Sequence, residues 1–332
     1  MKDFDGIRSV LLEKYSLDIA NASCHFSTRN YAFVFSMDYC SVVIRVSPSE
    51  LRTREEVMSE FMWVDDLKQF HTTVCQPYTS AKNKAIEEFE VGGNRYRAAL
   101  FRRAEGKIVM HEGWNNRYFY NAGVSLGKLH KASADGYALG FRYKRCHWYE
   151  KATYNFDSFR YALTDEIIAI MNETKAKIMS IPQTPQTYSM IHGDYWPGNY
   201  FVSGDDIWVF DFDDCGYGYF MFDIVTSISQ WLQEPKFMPQ VKRRDLLYKN
   251  GMLDSFKRGY LENYTLPKEA WNDLELFLRL RYMEQLTIMI PVFDDRFRES
   301  IGFDMVEVDK KIVLAKDDFY DVLDKLAQNL LK

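Results

Sequence analysis

The chain lacks the markers of several common chemistries. Its five cysteines, Cys24, Cys40, Cys75, Cys146 and Cys215, are scattered, odd in number and never spaced as C-x-x-C. That pattern indicates neither a zinc site nor a disulfide framework, and reduced thiols are the plain expectation. None of the six histidines are spaced as ligands on one helix, and no H-E-x-x-H occurs. There is no G-x-x-x-x-G-K-[ST], which excludes a P-loop at the level of motif, and no G-x-S-x-G elbow of a hydrolase. Gly216-Tyr217-Gly218 is too short for a dinucleotide fingerprint. No apolar run reaches the roughly 18 residues needed to span a bilayer. Met1-Lys2-Asp3-Phe4-Asp5 has acids where a secretory leader has a basic start. A soluble, cytoplasmic protein with no membrane partner is therefore expected.

Positive charge is also short. The net charge is −5 over 332 residues, so generic nucleic-acid binding gains no counterion-release energy and is disfavoured. The same balance allows ATP, because a local group of cations and Mg²⁺ outweighs the global sign. The 47% hydrophobic and 27% charged content is that of a folded globular chain, and the length fits one large domain or two lobes sharing a cleft.

The order of patterns favours two lobes. Residues 3–17 carry Ile7, Val10, Leu11 and Tyr15 at helical spacing. Two β-type runs follow, Tyr31 to Met37 and Ser41 to Val46, with Asp38-Tyr39-Cys40 as a candidate hairpin turn. Thr53-Arg54-Glu55-Glu56 reads as a capping box opening a helix to about Phe70. Short strands near Ala85–Val91 and Arg95–Arg102 complete a small antiparallel sheet. Beyond Gly106 the patterns are helical, with predicted helices over 114–131, 148–180, 221–232, 244–260, 268–292 and 308–331. They are interrupted by a β-rich island from Tyr188 to Phe212. The expected architecture is α+β: a β-rich N-terminal lobe over 1–103 and a mainly helical C-terminal lobe over 104–332.

The island holds the residues that carry chemistry. Asp194 and Asn199 lie five positions apart after the apolar strand Tyr188 to Ile191, in the run His192-Gly193-Asp194-Tyr195-Trp196-Pro197-Gly198-Asn199. This is the spacing of the kinase loop H-R-D-x-x-x-x-N, in which Asp is the base and Asn a metal ligand. Ile207 to Phe210 then forms a second apolar strand ending in Asp211, where the D-F-G aspartate of a kinase holds Mg²⁺. Either signal alone is weak, because Asp and Asn are common in turns. Together and in order they point to phosphoryl transfer. His192 suits a brace for the loop, and Asp205-Asp206 a hairpin turn. Asp213 and Asp214 suit either a cation site or a solvated turn.

The segment resembles the catalytic core of the aminoglycoside phosphotransferase and choline-kinase-like family, the small-molecule branch of the protein-kinase-like fold. The family pattern H-G-D-x-x-x-x-N followed by an apolar strand and Asp is matched by His192, Gly193, Asp194, Asn199 and Asp211. The helix ending in Leu129-His130 and the segment Tyr219 to Ile224, with a structural Asp223, also resemble the family. The resemblance implies a two-lobe kinase fold, ATP and Mg²⁺ as cofactors, Asp194 as catalytic base, and Asn199 and Asp211 as metal ligands. In the N-terminal lobe Arg45 stands where kinases place the phosphate-holding Lys. Glu60 lies within the apolar arc Val57, Phe61, Val64 and Leu67, where a carboxylate requires a partner. An Arg45–Glu60 pair set against the phosphates is expected, although strand alternation also fits an ordinary exposed Arg45. The stretch from Ala22 to Asn30 has no glycine, a departure that leaves Ser27, Thr28 and backbone N–H groups to cover the phosphates.

Eleven residues separate Asp211 from Asp223, too few for the activation segment that holds a peptide. Gly193 replaces the Arg with which protein kinases read activation-loop phosphorylation. Both features favour a small-molecule hydroxyl acceptor, of the aminoglycoside, amino-alcohol or sugar-like kind found in related branches. Acceptor contacts are expected from the helix containing Tyr282 and Glu284. The alternatives are a Ser/Thr protein kinase of the stress-response type and a non-catalytic nucleotide-binding regulator.

Overall fold

A computed structural model describes residues 4–17, 22–26, 30–36, 41–70, 72–137, 142–293 and 303–329. The predicted turn at Asp38-Tyr39-Cys40, and Ser27, Thr28 and His71, lie outside the described residues. The fold is the expected α+β arrangement, a small sheet lobe set on a larger helical one.

The sheet lobe begins with α1 (Phe4–Tyr15) and β1 (Ser23–Phe26), β2 (Tyr31–Ser36) and β3 (Ser41–Pro48). Then come α2 (Arg54–Gln69), β4 (Pro77–Tyr78), β5 (Glu87–Val91) and β6 (Asn94–Arg102). All pairings are antiparallel, in the order β1-β2-β3-β6, with β4 and β5 sharing the far edge of β6. Strand alternation sends Val42, Ile44 and Val46 to one face, where they pack with Phe33, Phe35 and α1 residues Ile7, Leu11 and Tyr15. Val43 and Arg45 point to the other face. That face is not solvent, because α2 lies over it with Val57 and Phe61 against Ile86 and Ala99. The capping box at Thr53 is present: Glu56 N–H donates to Thr53 Oγ1 at 3.2 Å, and Thr53 N–H donates to Glu56 Oε2 at 2.6 Å.

The helical lobe contains α3 (Asn116–Tyr137), α4 (Asp165–Met179), α5 (Phe220–Gln233), α6 (Arg243–Tyr248), α7 (Met252–Leu261) and α8 (Leu274–Met289). It closes with α9 (Met305–Leu314) and α10 (Phe319–Asn329). Among the described residues no helix is long and apolar enough to cross a membrane. Helix α5 is buried on every side except near its end, its polar Asp223, Thr226, Ser227 and Ser229 included. Two short antiparallel pairs stand at the junction of the lobes. One joins β7 (Tyr188–Ile191) to β10 (Gly216–Tyr219), and the other joins β8 (Tyr200–Ser203) to β9 (Asp206–Val209). The β8–β9 hairpin is stitched to the segment after α2, with Val209 N–H donating to Thr73 O and Cys75 N–H to Val209 O, both at 3.0 Å.

Four predicted helices are broken in the structure. The span 148–180 holds three 3-10 turns before α4, which starts only where Thr164 caps Ile167 N–H at 3.3 Å. The span 244–260 divides at Gly251, whose φ of +80° suits glycine. A 3-10 turn over Lys268–Asp273 precedes α8, and Lys316 at φ +51° separates α9 from α10. Apolar periodicity continues across all four breaks, which is why it does not reveal them.

Helices α3 and α7 approach so closely that glycine is required at the contact. A Cβ at Gly259 would stand 2.0 Å from Tyr120 O, and one at Gly123 2.0 Å from Phe256 O. Forcing a methyl group between two packed backbones displaces them. Gly259→Ala is therefore expected to cost about 1–3 kcal/mol, read as a lowered denaturation midpoint in urea with an unchanged slope.

Candidate active site

The site lies where β3, α2 and the two short antiparallel pairs meet, beside a cleft of about 480 Å³. The cleft walls include Val34, Val43, Phe101, Ala104, Ile108, Phe201 and Phe210, an apolar slot suited to a flat ring. Arg45, Glu60 and Asp211 stand at its polar end.

The sequence builds the loop from His192 to Asn199 on a buried anchor. Asp223, in the first turn of α5 and wholly buried, accepts His192 N–H at 2.7 Å and Gly193 N–H at 2.8 Å. His130, at the predicted Leu-His position of α3, lies 3.3 Å from the same carboxylate and 2.8 Å from Tyr260 Oη. Burial holds the His130 pKa below its ordinary value against the pull of Asp223, so the ring stays neutral at pH 7. His192 braces the loop as expected: Nε2 lies 3.0 Å from Phe210 O, and Asp194 N–H donates to Nδ1 at 3.3 Å. Gly193 has φ +78°, and a Cβ there would stand 2.4 Å from Asp214 O. No side chain fits at that position, which gives a second reason for the missing kinase arginine.

Asp194, Asn199, Asp211, Arg45 and Glu60 are brought together. The Asn199 amide nitrogen donates to Asp194 Oδ2 at 2.9 Å and to Asp194 O at 3.0 Å, which leaves its amide oxygen for a ligand. Phe210 N–H donates to Asn199 O at 3.0 Å and so ties the approach to Asp211 to the loop. Asp211 itself is left-handed, φ +61° and ψ +61°, which ends the extended run and turns its carboxylate into the cleft. Arg45 donates to Glu60 through both terminal nitrogens, at 2.9 and 2.7 Å, and lies 3.6 Å from Asp211 Oδ1 and 3.9 Å from Asp213 Oδ1. Its guanidinium also sits 5.0 Å from the Phe101 ring centroid. Arg45 is thus covered by α2 rather than exposed on an open strand face.

The Arg45 guanidinium faces three carboxylates, Glu60, Asp211 and Asp213. Asp211 shows the consequence. Its side chain is 44% exposed to the cleft, yet desolvation by the surrounding walls pushes its pKa up to about 7. Arg45 opposes that rise, while Asp213, Asp214 and Glu60 add to it. Asp213 behaves differently. Burial works against its charge, but Arg45, Arg52 and Arg145 outweigh burial and the repulsion of Asp214, and hold its pKa below the usual range. Of these carboxylates Asp211 has the weakest pairing, with Arg45 at 3.6 Å.

Several residues of the site are not apparent from sequence pattern. Arg52 reaches from the sheet lobe to Asp214 Oδ1 at 3.0 Å and Asp213 O at 3.3 Å. Arg145, fully enclosed, donates to Cys215 O at 2.7 Å, Glu56 O at 3.3 Å and Asp213 O. Asp213 and Asp214 are therefore fixed between cations rather than forming a solvated turn. On α8 the expected Tyr282 and Glu284 are buried in the lobe. The residue that reaches the loop is Arg281, which donates to Asp194 Oδ1 at 2.9 Å and to Glu284 Oε2 at 2.7 Å. Asp205 accepts from Arg117 and Asn121 at the β8–β9 turn, away from the cleft.

The model of the phosphotransferase enzyme family matches residues 20–264. The chain belongs to the phosphotransferase enzyme family. It is 26% identical over 273 residues to amicoumacin kinase of Bacillus subtilis (strain 168), covering 80% of this chain and 78% of that one. Its fold is that of an amicoumacin kinase solved with AMP-PNP, Ca²⁺ and Ami (TM-score 0.82, 22% identity, 96% of both chains). It also matches a microcompartment-associated aminopropanol kinase (TM-score 0.70, 19% identity, 99% and 98% of the two chains). The phosphotransferase is accordingly a kinase acting on the hydroxyl group of a small molecule.

The Arg45–Glu60 pair is buried, so losing one partner strands the other. Arg45→Met is expected to cost about 3–5 kcal/mol in a denaturant titration. Arg45→Met combined with Glu60→Leu should recover part of that loss, and no recovery would place the cost elsewhere.

Proposed function

We propose that the cleft binds ATP with Mg²⁺ and passes the terminal phosphoryl group to an amine-bearing small alcohol. The observation that carries this reading is that the Glu60-braced Arg45 and Asp211 line a largely apolar cleft, while Asp194 and Asn199 are bonded to one another in the loop tied to Phe210, beside Asp211. In this reading Asp194 orients the acceptor hydroxyl and takes its proton as the oxygen attacks phosphorus. Arg45, always charged and rigid, grips phosphate oxygens with the edge not committed to Glu60. Ser27 and Thr28, outside the described residues, are assigned to the cover over the phosphates.

The donor set fits a hard divalent ion. Asn199 and Asp211 offer one amide and one carboxylate oxygen, and among the described residues no group of three acidic, His or Cys side chains forms a metal cage. Mg²⁺ uses few protein ligands and completes its shell with water and phosphate oxygens. When bound it neutralises charge on the phosphates. The weak pairing of Asp211 supports the same assignment, and Asn199, fixed through its nitrogen on Asp194, presents a preset oxygen. An amine on the acceptor is supported by aminopropanol kinase among the proteins of this fold.

ADP release over a panel containing amicoumacin, aminopropanol, aminoglycosides and simple sugars tests the reading. A wild-type response to an amine-bearing alcohol is expected, with Asp194→Asn lowering kcat about 10²–10⁴-fold while Mg²⁺-dependent ATP binding persists. Asp211→Asn should instead abolish the Mg²⁺ dependence of ATP binding in calorimetry. Full activity in Asp194→Asn, or unchanged Mg²⁺ dependence in Asp211→Asn, would remove the corresponding role.

A further inference from the structure

The carboxylate of Asp194 is held from two sides. Asn199, within the same loop, donates to Oδ2 at 2.9 Å. Arg281, 87 residues later on α8, donates to Oδ1 at 2.9 Å. The two donors fix both oxygens and hence the plane of the group. Each oxygen keeps a second lone pair for the incoming hydroxyl.

Arg281 is itself prepared for this task. It is only 13% exposed, and its other terminal nitrogen is bonded at 2.7 Å to Glu284, one turn away and almost fully buried. Burial lowers its basicity, but Asp194 and Glu284 more than restore it, so the guanidinium stays charged. A planar fork held by one carboxylate can aim its second edge with little loss of rotamer entropy. The arginine grows from a helix packed against α4, α5 and α9, which is a rigid support compared with a loop. Glu284, Arg281 and Asp194 thus form a chain from the core of the helical lobe to the reacting group.

We propose that Arg281, braced by Glu284, is a positioning residue that sets the orientation of Asp194 for phosphoryl transfer. The proposal rests on the reading of Asp194 as base. Each terminal nitrogen of Arg281 bonds a carboxylate, and a change in acceptor KM distinguishes positioning from acceptor binding. Near-attack geometry is steep: a displacement of about 1 Å costs on the order of 100-fold in rate.

The test has a kinetic and a crystallographic arm. With saturating MgATP and amicoumacin or aminopropanol as acceptor, Arg281→Met is expected to lower kcat roughly 100-fold and leave both KM values unchanged. Placed in the Asp194→Asn background it should cost nothing more, since residues acting as a unit are not additive. An equal fall in both backgrounds would show a merely structural role, and a raised acceptor KM with unchanged kcat would show acceptor binding; either overturns the proposal. In crystals of Arg281→Met with AMP-PNP and Mg²⁺, Asp194 is expected to leave its present rotamer. An Asp194 that keeps its place on Asn199 overturns the proposal without any assay. Wild-type protein inactive on both acceptors would count against the acceptor class alone, because the crystallographic arm still decides the role of Arg281. Glu284→Gln, which keeps the guanidinium and loosens its brace, carries the same readouts with a smaller fall should Arg281→Met fail to fold.

Discussion

The site depends first on one buried carboxylate that takes no part in the reaction. Asp223 has no water to solvate it, and it is stable there because two consecutive backbone N–H groups and a neutral histidine surround it. A buried charge of this kind is tolerable only when every oxygen is satisfied. The exchange also fixes the start of the loop, because His192 and Gly193 cannot move without leaving the charge stranded. From that anchor follow the left-handed turn at Gly193, the position of Asp194 and the closing bond from Asn199. The histidine of the loop then carries the constraint onward to Phe210, and so to Asp211.

Around this anchor the protein sorts its acidic groups by degree of compensation. Glu60 has a bidentate arginine, Asp213 has three cations near it, and Asp223 has backbone donors. Asp211 has only a distant share of Arg45 and an open side toward the cleft. The gradient runs from fully satisfied groups in the core to one weakly paired group at the surface of the slot. Fold stability and ligand affinity are thereby separated. The structural carboxylates are held by permanent partners, and Asp211 is the most weakly paired of the group.

Much of this was legible in the sequence because short motifs encode local geometry. H-G-D-x-x-x-x-N needs only its own loop and one hairpin to place Asp194, Asn199 and Asp211, so the spacing was sufficient to find them. Glu60 was legible because a charge inside an apolar helical arc violates the pattern and asks for a partner. Arg45 was half legible: alternation gave the correct face, but only the packing of α2 shows that the face is covered. Arg52, Arg145 and Arg281 were not legible. Each acts over a long separation in the chain, and its partners are mostly backbone carbonyls or residues on other elements. For Arg281 a faint signal existed, an Arg and a Glu one turn apart, but the helix also carries Glu275, Arg279 and Gln285, so the pair did not stand out. The helix breaks at Thr164 and Gly251 carried visible punctuation, a cap and an Asn-Gly pair, which the continuing apolar period masked.

The stitch between Val209 and the segment Thr73–Cys75 has a mechanical consequence. The hydrogen bonds at that point join the rear of the sheet lobe to the hairpin that leads to Asp211, and Arg52 and Arg145 add fastenings nearby. The two lobes therefore share a welded rear edge, and opening them as a pair of jaws would break that weld. At the opposite margin of the sheet β1 pairs with β2 alone among the described residues. A frame fastened at the rear edge keeps the groups carried by the hairpin in register with those of the sheet lobe.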